Sequence, residues 1–153
     1  MKKKKKAIKK KGWMPEYRKF CRELTSYLQY KMFLNLYQID LEYLKEPKEK
    51  GKTFEEADDN CVAADIETSH RYYTAHVNIY PVTHKRWPDK RKVAEVIIHE
   101  LCHVITDPMY KFAVDVVTNS NAKHLEDMRE QSTQHIANIV MCALERENPK
   151  MLK

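Results

Sequence analysis

The stretch Val96-Ile97-Ile98-His99-Glu100-Leu101-Cys102-His103-Val104-Ile105 decides how this chain is read. Val93, Val96, Ile97, Leu101 and Val104 recur at helical spacing, and Asp89 stands where a helix N-cap belongs. Residues four apart share a helical face, so His99 and His103 can turn ring nitrogens toward one metal ion. Glu100 points about 100° round the helix, close to that ion without ligating it. The position suits a general base. Zinc lowers the pKa of a bound water from about 15.7 to roughly 7, and Glu100 can take the proton and pass it to a leaving amine. Two imidazoles and a carboxylate on so apolar a helix are costly to bury without partners. The plainer alternatives are a pair of hydrogen-bonded core histidines and a purely structural zinc site.

Upstream of this helix, Pro15 suits a first helical turn, and Tyr17, Phe20, Leu24 and Leu28 continue the period to about Tyr30. Tyr37, Ile39, Leu41 and Tyr43 alternate with polar residues as a half-buried strand does, with a bulge expected near Leu36. A charged loop over 45–60 separates it from two further strands, Cys61 to Glu67 and Tyr72 to Tyr80. Pro81 and Pro88 bracket a turn. Downstream, Pro108 is expected to start a separate helix reaching about Val117, with a break over Thr118 to Asn121. A long helix then covers Ala122 to about Glu147. The expected class is α+β: an N-terminal helix, a small antiparallel three-stranded sheet, the helix carrying both histidines, and a long C-terminal helix.

The chain has 153 residues, enough for one domain, and only two glycines, Gly12 and Gly51. That excludes Gly-rich phosphate loops. Lys2–Lys6 and Lys9–Lys11 are eight lysines; the rest of the chain holds 20 basic against 22 acidic residues, so the positive charge belongs to a tail. We read 1–12 as a tail, 13–148 as the domain and 149–153 as a second short tail. The lysines Lys2 to Lys11 suit weak contact with nucleic acid through counterion release. No apolar run is long enough for a membrane span and none follows the lysines as a secretory signal would require, which points to the cytoplasm. Cys21, Cys61, Cys102 and Cys142 form no CxxC pair and are expected as free, buried thiols.

The segment VIIHELCH, Val96 to His103, resembles the active-site helix of the zincin metallopeptidases. No Gly or third His follows soon after His103, so the metzincin pattern is absent. The layout is similar to the minimal gluzincins, small soluble one-domain metallopeptidases of prokaryotes and their viruses. That resemblance implies zinc, a peptide or protein substrate, and a third ligand glutamate on the last helix. Glu126 and Glu130 are the candidates, and both border the apolar face of that helix. Glu130 is favoured because it leads into Ile136, Ala137, Ile139 and Val140; the polar group that the resemblance implies four residues on, to support the first histidine, is fitted loosely by both pairs, Glu130 with Gln134 and Glu126 with Glu130. The resemblance also implies that an edge strand, here Tyr72 to Tyr80, borders the cleft. It further implies a latent form in which the residues after Glu147 or the lysine tail cover that cleft.

Other residues carry less. Tyr110 is a minor candidate for oxyanion stabilisation, His124 and His135 read as surface histidines, and Cys102 reads as core. Two functions stand side by side: a zinc-dependent peptidase using His99, His103, Glu130 and Glu100, and a non-catalytic zinc-stabilised module binding nucleic acid or a protein partner through its tail.

Overall fold

The structure, a computed structural model, describes residues 14–49, 51–54, 56–58, 60–116 and 122–153. The lysine tail and the break at 118–121 lie outside the described residues. The elements are α1 (Met14–Lys31), β1 (Gln38–Tyr43), β2 (Ala64–Ser69), β3 (Thr74–Ile79), α2 (Pro81–Arg86), α3 (Lys90–Val116) and α4 (Ala122–Glu147). This is the expected α+β arrangement.

The apolar stripe of α1, with Tyr17, Phe20, Cys21, Leu24 and Leu28 buried, forms one side of the core. The helix ends at Lys31, and Phe33 just beyond it has a left-handed backbone (φ 58°). The Leu34 amide then donates to the Gln29 carbonyl at 2.8 Å, and Leu34 itself is buried. After this closing turn, a second turn, in which the Tyr37 amide donates to the Leu34 carbonyl at 2.9 Å, occupies the place where a bulge was expected; Leu36 is exposed and the strand begins only at Gln38.

The sheet differs from expectation in its pairing. Its order is β1-β3-β2, with β3 antiparallel to β2 but parallel to β1. The segment 44–63 is long enough to carry the chain past one strand position, so β3 enters between its predecessors. Tyr80 then donates its amide to the Ala63 carbonyl, and Leu44 donates to Ile79, at the end where all three strands meet that segment. The strand expected at the edge is therefore central, and β2 is an edge. The buried residues Ala75, Val77 and Ile79 of β3 face the core with Ile97, Ile98 and Leu101 of α3.

Two proline effects also differ. Pro81 opens a short helix, α2, where a turn was expected. Pro108 lies inside α3 instead of starting a new helix. It removes one backbone donor and costs about 3 kcal/mol in a helix interior. Contacts on both sides of it hold the helix together: Thr106 Oγ1 lies 2.8 Å from Thr133 Oγ1, and Asp107 and Tyr110 both meet Arg129. Asp89 caps α3 as expected, accepting from the Lys92 amide at 3.2 Å. At the C-terminus, Met151 and Leu152 pack against the core, with Met151 sharing a surface depression with Phe20 and Trp87. This segment, expected as a tail, does not cover the two histidines.

α2 also carries His84, 4% exposed and enclosed by the rings of Tyr17, Tyr43 and Phe54. Burial, helped by the Arg18 charge, lowers its pKa from 6.5 to about 4. A depressed folded-state value favours the neutral ring, so the stability it confers is complete above pH 6.5 and is lost as pH falls toward 4. The loss amounts to up to about 3 kcal/mol. Urea midpoints measured from pH 7 to 4.5 should fall less steeply for His84→Gln than for the native chain; parallel slopes would refute the assignment.

Candidate metal centre

α3 and α4 pack against each other, and the histidines lie on the α3 face turned toward α4. One helical turn separates His99 from His103, and their Nε2 atoms lie 3.3 Å apart. Glu130 of α4 brings Oε2 to 3.5 Å from His99 Nε2 and 3.7 Å from His103 Nε2. A tetrahedral ion with bonds of about 2.0–2.2 Å holds its ligand atoms about 3.3–3.6 Å apart. The observed triangle is close to one face of that tetrahedron. His99, His103 and Glu130 can therefore hold a metal ion.

Each imidazole is oriented from behind. His99 Nδ1 donates to Gln134 Oε1 at 3.1 Å, and the amide is itself fixed because its nitrogen donates to Asn138 Oδ1 at 2.9 Å. Gln134 thus supports the first histidine as expected. His103 Nδ1 faces Asp107 Oδ1 at 3.3 Å and Thr133 Oγ1 at 3.4 Å. Acceptors at both Nδ1 positions leave both Nε2 lone pairs directed at the shared space. Burial opposes the Asp107 charge, yet His103, Arg129 and Lys111 outweigh it and hold the carboxyl below its ordinary value. On its far side Asp107 accepts from Thr68 Oγ1 of β2 at 3.5 Å.

Glu100 is 8% exposed and contributes no atom to the triad. Burial chiefly, with His103 opposing and Asp65 and Glu130 adding, pushes its carboxyl from 4.5 up to about 7; Lys48 pulls the other way. Asp65 is held by Lys48 at 2.7 Å, Asn78 at 2.8 Å and Tyr80 at 3.0 Å. From His99 and Glu100 a groove of about 590 Å³ runs between α3 and α4, with Ala63 and Ala64 among its lining residues. Val96, Ala137 and Met141 line its apolar part; Arg91, paired with Glu145 at 2.8 Å, stands farther along.

The other expectations separate clearly. Glu126 is exposed and meets Arg129 at 3.9 Å, outside the triad. Tyr110 lies beneath the Arg129 guanidinium, 4.8 Å from ring centroid to carbon. His124 and His135 are exposed. Cys102 is fully buried, which pushes its thiol up to about 12. All four cysteines are free, and Cys142 is exposed where a buried thiol was expected. Sequence reasoning missed Asp107, Thr133 and Arg129. Asp107 was within reach of the rule that paired the histidines, since it stands four residues beyond His103 on the same helix.

Among the described residues no helix is long and apolar enough to cross a membrane. No protein family matches the chain, and neither does any curated protein or solved structure.

Proposed function

We propose that this chain is a zinc-dependent peptidase. Two histidines and one carboxylate, with a fourth position open, form the donor set of catalytic zinc sites; structural sites use four protein ligands. The observation that carries the reading is Glu100, a nearly buried carboxyl beside the triad that ligates nothing and lines the same groove as His99. A structural site has no use for it. Bound in the triad, zinc polarises a carbonyl and acidifies a water.

The protein's own groups supply the rest. Gln134 and Asp107 stand at the two Nδ1 atoms and leave each Nε2 turned toward the shared space. Glu100 takes the proton of the attacking water at its carboxylate and delivers it to the departing amine. The groove receives a side chain next to the scissile bond. β2 pairs with β3 on one side, and its other side offers backbone groups for an extended peptide to add as a further strand.

Elemental analysis of untagged protein should find one zinc per chain. Chelation should abolish cleavage of a peptide library, and added zinc should restore it. Zinc-free native protein that stays empty after reconstitution would remove the basis of this reading.

A further inference from the structure

Arg129 precedes the glutamate of the triad, and neighbouring helix positions point about 100° apart. Its guanidinium nevertheless folds back so that Nη2 lies 2.6 Å from Glu130 Oε1. The other oxygen of that carboxylate, Oε2, is the one facing both imidazoles. Nη1 of the same guanidinium lies 3.7 Å from Asp107 Oδ1, the oxygen opposite His103 Nδ1. Tyr110 packs against the guanidinium, and Glu126 approaches Nη2 at 3.9 Å from the solvent side. One planar cation thus meets Glu130 of the triad on α4 and Asp107, which stands behind His103, on α3.

We propose that Arg129 is a positioning residue of the metal centre, an inference that rests on the triad being a metal site. By occupying Oε1 it presents Glu130 to the ion through Oε2 alone. By balancing Asp107 it joins the Glu130 carboxylate to the group that fixes the His103 tautomer. A fork is needed for this, because two carboxylates on different helices must be met at once. Guanidinium supplies five donors in one rigid plane, whereas ammonium is a point charge on a flexible stem. Without Arg129, Glu130 is free to turn both oxygens to the ion, and the fourth position becomes more crowded.

The test uses the full chain loaded with cobalt(II), whose visible d–d bands weaken as coordination number rises. Affinity is read by competition with a chromophoric chelator, and circular dichroism checks folding. Arg129→Met should bind cobalt roughly 10- to 100-fold more weakly, the usual cost of losing an outer-shell partner, with weaker bands than the native chain. Arg129→Lys should recover part of the affinity through its charge without recovering native bands. Should the Met variant fail to fold, the Lys variant alone decides. Native affinity and native bands in the folded variants would overturn the role of Arg129 while leaving the metal site standing. A native chain that binds no cobalt would overturn both.

Discussion

Glu100→Gln is expected to slow peptide hydrolysis by roughly 10²- to 10⁴-fold, the usual contribution of a positioned acid–base group. Zinc content should remain one per chain. The two outcomes together make the experiment informative. Gln has the shape of Glu and fits the same nearly buried site, but its amide cannot accept a proton. The carboxylate contributes no atom to the triad, so its replacement leaves the three donors in place. Burial already penalises the ionised form, as the carboxyl's raised value of about 7 records, so the neutral variant should melt no lower than the native chain. Unchanged turnover would dismiss Glu100 as base. Loss of zinc would show that it ligates or that it props up the site.

Glu130→Ala should empty the site, with a loss of metal affinity exceeding the roughly 10- to 100-fold typical of outer-shell changes. Glu126→Ala should leave both metal and activity in place. The two carboxylates sit one turn apart on α4, differing by about 40° of rotation and about 6 Å of rise. Axial level separates them more than rotation does. Gln134 meets His99 and Thr133 meets His103, which brings Glu130 level with the pair and places Glu126 one turn beyond it. Elemental analysis of both variants checks the assignment, and a metal-free Glu126→Ala with a loaded Glu130→Ala would reverse it.

The helical spacing of His99 and His103, the Asp89 cap and the α+β class were legible because each depends on neighbours within one or two turns. Glu126 against Glu130 was not legible: both border the apolar face of α4, and the choice depends on how far that helix slides along α3. The place of β3 was hidden for a similar reason, since strand order depends on where the 44–63 segment carries the chain. Pro108 was misread because local rules for proline ignore tertiary contacts at Thr106, Asp107 and Tyr110. Arg129 left no signal at all, as an arginine on an exposed helix turn reads as solvated until its neighbours are known.

The supply of the three donors by two separate helices has a mechanical consequence. His99, His103 and Asp107 travel on one rod, while Glu130, Thr133 and Gln134 travel on another. An ion gripped from both sides is then a rivet through two beams rather than a guest in a cup. Sliding or twisting one rod against the other would change the distances among the three donor atoms while leaving each helix's own backbone hydrogen bonds in place. Were the triad to hold an ion, its grip would be a gauge of the spacing between α3 and α4.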